Sequence, residues 1–119
     1  ASDLDLYVFD STLKQIGGSG SGTSAEEVNF VNMAEGTYYV MVDGYATGDP
    51  STFTLFAWIL GSADEGNMTV TAPATAVVGA TGTIELTFTG LTAGTKYLGS
   101  VVYSGADGMP NPTIVRVDP

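Results

Sequence analysis

Apolar and polar residues alternate along most of this chain with the two-residue period of a β-strand. At the start, Leu4, Leu6 and Val8 fall on one face of an extended segment, and the residues between them fall on the other. Clusters of Gly, Asp, Ser and Pro separate this segment from similar ones that follow, as turns do between strands. The pattern predicts about nine strands, at 3–10, 12–16, 26–33, 37–45, 51–60, 68–72, 81–90, 95–103 and 112–118.

Strands at this spacing, without a convincing helical period, predict an all-β fold of antiparallel sheets in a β-sandwich or jelly-roll-like arrangement. The segment 51–60 is apolar on both faces, which predicts a central strand covered on both sides. The segment 17–24, GGSGSGTS, predicts a flexible surface loop because of its composition.

A polar stretch at 61–67 indicates a hinge, which divides the chain into the halves 1–62 and 63–119. A core built from about 60 residues is marginal when it stands alone. We therefore expect the second half to pack on the first, with 51–60 contributing the shared core.

One pattern occurs in both halves: MAEGTYYVMVDGY at 33–45 and LTAGTKYLGSVVY at 91–103. In sandwich folds, a tyrosine near the start of a strand packs over the preceding corner, and its hydroxyl bonds to backbone a few residues upstream. We interpret both patterns as such structural corners, although ligand-binding tyrosines are the alternative. The matching residues are Leu91, Gly94 and Tyr97 in the second half, and Gly36 and Tyr38 in the first.

Composition narrows the functional classes. The chain has no cysteine and no histidine, and three basic residues stand against thirteen acidic ones, for a net charge of −10. A surface this acidic disfavours nucleic acids and anionic membranes, since their affinity depends on clustered Lys and Arg. No run of 18 apolar residues is present, so no transmembrane helix is predicted. Without histidine a Ser-His-Asp triad cannot form, and we predict no catalysis by this chain.

Carboxylates are the remaining candidates for chemistry. Asp3 and Asp5 lie two residues apart on one strand face, about 7 Å from each other by strand geometry, and Asp10 follows near the strand end. Calcium prefers several oxygens from carboxylates and loop carbonyls. These aspartates are therefore candidate calcium ligands, although solvent-facing or turn-capping roles are the more usual ones for such residues and are the ones we expect. The spacing of an EF-hand is absent.

Aromatic residues offer a second candidate site. Phe56, Trp58, Tyr39 and Tyr45 are placed to form a ligand platform for sugars or peptides on a sandwich face. A Trp inside an apolar strand is more often part of the core, and we expect that role for Trp58.

The stretches 3–10, 34–45 and 51–58 resemble the bacterial pre-peptidase C-terminal domain. The continuation, with LGSADEGNMTV, LTAGTKYLGSVVYS and TIVRVD, is similar to the tails of secreted subtilisin-like serine peptidases. The resemblance implies a non-catalytic β-sandwich module, secreted or on the cell surface of a prokaryote, whose partner is a parent protease domain. It also implies roles in stabilisation, secretion or binding of a protein or polysaccharide substrate, and calcium on Asp3 and Asp5.

Members of that family usually have strands before the D-x-D-L-Y strand, whereas this sequence opens directly on it. We therefore expect a fragment or processed product with N-terminal strands missing and a sheet edge left open. This motivates the first alternative, a structural subunit of an extracellular filament in which identical subunits join by β-strand addition. The second alternative is a carbohydrate-binding module.

Overall fold

The computed structural model describes residues 3–48, 50–105 and 107–119. Within these ranges the chain is all-β, without helix, and its strands pair antiparallel, as the sequence predicts. Seven strands form rather than about nine. They are β1 (Asp3–Phe9), β2 (Gln15–Ser19), β3 (Tyr39–Ala46), β4 (Met68–Thr71), β5 (Glu85–Phe88), β6 (Tyr97–Val101) and β7 (Thr113–Val117).

The chain divides into two compact units, Ala1–Leu55 and Phe56–Pro119. The first unit holds a three-stranded sheet in the order β2-β1-β3. The second holds two two-stranded sheets, β4-β5 and β6-β7. The packing of residues 63–119 on residues 1–62 stays a prediction.

In the first unit the β1–β3 register places Leu6 opposite Val42 and Val8 opposite Val40, which forms an apolar face. Val8 is the buried hydrophobic residue of the described chain, at 7% exposure. Leu4, Leu6 and Val42 also line a pocket of about 60 Å³. The opposite face carries Asp5, Tyr7 and Phe9, in agreement with the predicted alternation along β1.

The second unit is sandwich-like on a small scale. Residues from β4, β5, β6 and β7 line a shared cavity of about 70 Å³. Gly99 on β6 lies close to β4, because a Cβ built there would be 3.5 Å from Met68 Cε. Apolar side chains of both ribbons therefore face each other across this cavity.

Two predicted strands are wrong. In 26–33, Val28 and Phe30 do lie on one side, against Gly17, but no strand in the described chain pairs with the segment. Asn32 takes a φ of 56°, a left-handed conformation that interrupts an extended strand. The alternation here reflects one-sided packing rather than a place in a sheet.

The segment 51–60 is also not a strand, and all its residues are exposed. Its apolar residues are divided between the units at Leu55 and Phe56. Phe53 and Leu55 line the pocket of the first unit, while Phe56 and Trp58 stack on each other in the second. Two short exposed segments, one in each unit, therefore take the place of the predicted central, doubly covered strand. Trp58 is 42% exposed, so its predicted place in the core is wrong as well.

The predicted flexible loop at 17–24 begins too early, since Gly17–Ser19 belong to β2. A Cβ at Gly17 would lie 2.6 Å from Phe30 Cζ, and one at Gly18 would lie 2.8 Å from Tyr7 Cδ1. Glycine is needed here because aromatic rings occupy the space of its missing side chains. These glycines therefore serve strand packing rather than flexibility.

Candidate functional site

The acidic strand β1 places one carboxylate in a buried position. Asp5 is 7% exposed, and its Oδ2 accepts a 2.9 Å hydrogen bond from the Tyr7 hydroxyl. This bond raises the pKa of Tyr7, and burial and the negative charges of Asp5, Asp43 and Glu26 act in the same direction. A carboxylate buried this far is stable only with partners of this kind.

Asp43 on β3 lies directly opposite Asp5 in the sheet register. Like charges at opposed positions of an antiparallel pair are destabilising, because their Cβ atoms are about 5 Å apart. The strands shift register by one residue between Asp3 and Asp5. The result is an acidic pair across two strands of this sheet, with Asp5 on the central strand β1 and Asp43 on the edge strand β3.

Asp3 has a buried oxygen, Oδ1, with no hydrogen-bond partner among the described residues. Asp10 is placed differently. Its Oδ1 accepts hydrogen bonds from the Thr12 amide at 2.8 Å, the Thr12 hydroxyl at 2.6 Å and the Lys14 amide at 3.0 Å. These bonds, that of the Thr12 hydroxyl first, lower the pKa of Asp10. Asp10 therefore caps the β1–β2 turn.

The predicted calcium ligands can be tested against this geometry. The orphaned Asp3 Oδ1 and the Asp5 carboxylate are suitable oxygen donors, whereas the Asp10 carboxylate is engaged by its own turn. Across the described ranges, no three or more acidic side chains gather as a metal-binding group. A calcium ion at Asp3 and Asp5 would need most of its six to eight oxygens from backbone carbonyls and water.

Glu26 is a residue that sequence reasoning missed. Its carboxylate accepts hydrogen bonds from the Ser19 hydroxyl and from the amide and hydroxyl of Ser21. These bonds, led by that of Ser19, lower the pKa of Glu26. One carboxylate, seven residues after Ser19 and five after Ser21, therefore fixes the end of β2 and the Gly-Ser segment that follows it. An acidic residue shortly after a Ser-rich stretch was the available signal.

Both tyrosines of the repeated pattern make upstream backbone hydrogen bonds. The Thr92 amide donates to the Tyr97 hydroxyl at 3.0 Å, and the Tyr38 hydroxyl donates to the Ala34 carbonyl at 2.7 Å. Gly94 takes a φ of 78°, which favours glycine in the turn. Gly36 has no such φ, and a Cβ there would meet only Tyr38, at 4.0 Å. Leu91 and Tyr97 line the same cavity, as packing at a corner requires.

The aromatic candidates lie in two places. Phe56 and Trp58 stack, with ring centroids 5.8 Å apart and an interplanar angle of 13°. Lys96 contacts both rings. Its ammonium lies 5.6 Å from the Phe56 ring centroid, and its backbone carbonyl accepts a 3.2 Å hydrogen bond from Trp58 Nε1. Tyr39 and Tyr45 belong to β3 in the first unit, where they are 49% and 73% exposed.

The exposed side of β3 is the second feature that sequence reasoning missed. β3 is an edge strand of its sheet, and the described chain provides no strand beyond it. Large apolar side chains along it are exposed: Tyr39 at 49%, Val40 at 53%, Met41 at 43% and Tyr45 at 73%. The signal in the sequence was a long strand pattern with neither Lys nor Pro, the residues that usually protect an edge.

Fold and geometry together define an all-β protein of small antiparallel sheets, with an acidic strand in one unit and an aromatic pair in the other. Part of this chain is similar to pyrolysin of Pyrococcus furiosus (strain ATCC 43587 / DSM 3638 / JCM 8422 / Vc1), a subtilisin-like protease. The match is 35% identical over 71 residues, and it covers 56% of this chain and 5% of pyrolysin. It is consistent with a protease-associated domain.

No family model and no solved structure matches the chain. Among the described residues, no helix has the length and apolar character needed to cross a membrane.

Proposed function

We propose that this chain is a non-catalytic accessory module of a secreted subtilisin-like peptidase, related to the pre-peptidase C-terminal domain. The observation that carries the proposal is the similarity of 56% of the chain to part of a protease of that class. The module stabilises the parent protease domain, aids its secretion or binds its substrate or a surface. Its place is outside the prokaryotic cell or on the cell surface.

The absence of histidine from the sequence supports the non-catalytic part of the proposal, since it removes the commonest general base. Its serines accordingly have no imidazole to activate them. The acidic surface is suited to solubility in an extracellular medium.

The test is to attach the chain to the C-terminus of a subtilisin-like catalytic domain and to compare it with the catalytic domain alone. We expect unchanged turnover of a short chromogenic peptide. Thermal half-life, secreted yield or hydrolysis of a large protein substrate should increase. The proposal would be contradicted if thermal half-life, secreted yield and hydrolysis of the large substrate all stayed unchanged. Hydrolysis of casein by the purified chain would also contradict it.

Calcium belongs to the proposal as a stabilising ligand of Asp3 and Asp5. The support is the buried Asp3 Oδ1, which has no partner among the described residues, next to the acidic pair of Asp5 and Asp43. Millimolar calcium should raise the thermal midpoint of the chain, and Asp3→Asn should remove the increase. Glu35→Gln, an exposed acid-to-amide change in the same unit, is the matched control. An equal increase in the Asp3→Asn variant would contradict the assignment.

A structural subunit of an extracellular filament is the first alternative function. The long, exposed edge of β3 favours it, because such an edge is a template for another strand. The net charge of −10 opposes close packing of identical chains unless salt screens it. Sedimentation velocity with and without calcium decides between the filament subunit and the accessory module. A compact monomer in both conditions would contradict the filament.

A carbohydrate-binding module is the second alternative, favoured by the exposed rings of Phe56 and Trp58. One face of Phe56 already carries the Lys96 ammonium, which leaves less ring surface for a sugar. Glycan-array binding that is lost in Trp58→Ala would support this alternative. Binding retained in that variant would place any glycan site elsewhere.

A further inference from the structure

The edge of β3 combines three properties that rarely coexist on an isolated sheet. It is eight residues long, it lies at the end of the β2-β1-β3 order, and four of its large apolar side chains are at least 43% exposed. Neither proline nor lysine interrupts it. Natural proteins usually protect such an edge, because the outward-facing amides and carbonyls of an edge strand attract another strand.

The two faces of β3 specify what an added strand would present. Val40 and Val42 continue the apolar face that contains Leu6 and Val8. The other face presents Tyr39, Met41 and Asp43, opposite Phe9, Tyr7 and Asp5. An added strand therefore needs apolar side chains on the first face and, on the second, a residue compatible with Asp43.

The negative charge at the edge of β3 determines which kind of segment can bind there. Asp43 stands opposite the buried Asp5, so the edge carries a charge whose nearest partner across the sheet is also negative. The first unit contains eight acidic residues and one lysine. A cation next to Asp43 would relieve the repulsion, whereas a second copy of this acidic chain would add to it.

We propose that the edge of β3 binds an extended polypeptide segment bearing lysine or arginine, which adds to the sheet as a fourth strand. The inference rests on the proposed function, since an extended polypeptide is also what a peptidase cleaves. Main-chain hydrogen bonds to β3 supply affinity, and alternate side chains supply selectivity. The apolar side extends the layer of Val40 and Val42, and the basic side chain pairs with Asp43.

The test uses the 119-residue chain and a fluorescein-labelled peptide, Thr-Val-Lys-Val-Thr-Val-Lys, measured by fluorescence anisotropy. One control peptide has Glu in place of Lys, and another is N-methylated at alternate amides. We expect the lysine peptide to bind, the glutamate peptide to bind at least roughly ten-fold more weakly, and the N-methylated peptide to lose binding. Equal binding of all three peptides would overturn the proposal.

Two protein variants locate the site. Met41→Lys places a cation on the edge itself and should abolish binding, whereas Met109→Lys adds the same charge at a methionine of matched exposure, 41% against 43%, and should preserve it. Asp43→Asn should weaken the lysine peptide by roughly five-fold, the size of one exposed charge pair, while Glu35→Gln should not. Circular dichroism checks that each variant is folded. Binding unaffected by both Met41→Lys and Asp43→Asn would overturn the site.

Sedimentation velocity tests whether a second copy of this chain, rather than a peptide, occupies the edge of β3. Self-association that disappears in Met41→Lys, without peptide binding, would assign the edge to a second copy and overturn the proposal. Absent peptide binding in a chain that still improves an attached catalytic domain would remove the peptide site and keep the accessory function. Peptide binding by a chain that improves none of the catalytic domain's properties would keep the site and remove the accessory function.

Discussion

The Tyr7 hydroxyl donates a 2.9 Å hydrogen bond to Oδ2 of Asp5, the residue two positions earlier on the same strand. Asp5 is 7% exposed, so the phenol replaces much of the solvation that this carboxylate loses on folding. The Tyr7–Asp5 hydrogen bond therefore contributes to the stability of the first unit.

Tyr7→Phe should destabilise the chain, because it leaves a buried Asp5 oxygen without its donor, at a cost of about 1–3 kcal/mol. Urea unfolding at neutral pH measures the loss. Tyr45→Phe removes a hydroxyl from a side chain that is 73% exposed and should leave the midpoint unchanged. Equal midpoints for the two variants would show that the Tyr7–Asp5 bond carries no net stability.

Tyr7 should ionise at a higher pH than an ordinary tyrosine, and Tyr97 should ionise at a lower pH. The bond to Asp5 raises the pKa of Tyr7 from 10.0, whereas the Thr92 amide lowers the pKa of Tyr97. An ultraviolet titration of the phenolate band should lose an early component in Tyr97→Phe and a late component in Tyr7→Phe. The stability due to Tyr7 is present below pH 10 and is lost as pH rises through its raised pKa. The contribution of Tyr97 has the opposite sign and is gained as pH rises from its lowered pKa to 10. Identical titration curves for the two variants would refute this order.

Gly18→Ala should destabilise the first unit by about 1–3 kcal/mol, because its Cβ would lie 2.8 Å from the Tyr7 ring that bonds to Asp5. Gly22→Ala, in the same Gly-Ser segment, meets nothing within 4 Å and has no positive φ. It should be neutral or stabilise by up to about 1 kcal/mol, by restricting the unfolded chain. Thermal and urea midpoints of the pair provide the comparison. A neutral Gly18→Ala would mean that the ring moves aside freely.

Acid should weaken the first unit through Asp10 and Glu26. Hydrogen bonds from Thr12 and Ser19, respectively, are the largest causes that lower the pKa of these carboxyls from 3.8 and 4.5. Their stability is therefore present above those ordinary values and is lost as pH falls through the lowered ones. Urea midpoints between pH 7 and 2 should fall less steeply in Asp10→Asn and Glu26→Gln. Glu35→Gln should keep the full decrease, and a reduced decrease in that control would place the acid sensitivity elsewhere.

Leu13→Asn should stabilise the β1–β2 turn. Leu13 has a φ of 65°, a conformation that costs a branched side chain roughly 1 kcal/mol and that asparagine tolerates. The side chain is 69% exposed, so little burial is lost on replacement. Leu13→Ala, which keeps a Cβ without the tolerance of asparagine, is the control. Equal midpoints for the asparagine and alanine variants would show that the turn holds no such strain.

Alternation along the sequence was enough to predict most of the strands that pair, such as β1 with its apolar Leu6 and Val8, whereas most of β2 fell within the glycines predicted as loop. It failed where side chains alternate against a neighbour without pairing, as Val28 and Phe30 do before the left-handed Asn32. Both cases give the same two-residue period, so the pattern alone does not distinguish them.

The candidate site, like the fold, was predictable from the sequence only in part. Short-range chemistry, such as the Asp10 turn, follows from residue types within four positions. Other features depend on strand order, which no local pattern contains: the burial of Asp5, its position opposite Asp43, and the place of β3 at the end of the sheet. The Glu26 carboxylate accepts hydrogen bonds from residues seven and five positions earlier, in a segment whose composition predicted a flexible loop.

The glycines of β2 have a consequence for how this chain can vary among its relatives. Gly17 and Gly18 receive the rings of Phe30 and Tyr7 from opposite faces of one strand. A relative that acquires a side chain at either glycine must shrink or move the facing ring, and one that loses the ring leaves a gap that a larger residue can fill. Positions 17 and 30, and positions 18 and 7, should therefore be inherited as two compensating pairs, within a stretch that looks in isolation like freely drifting linker.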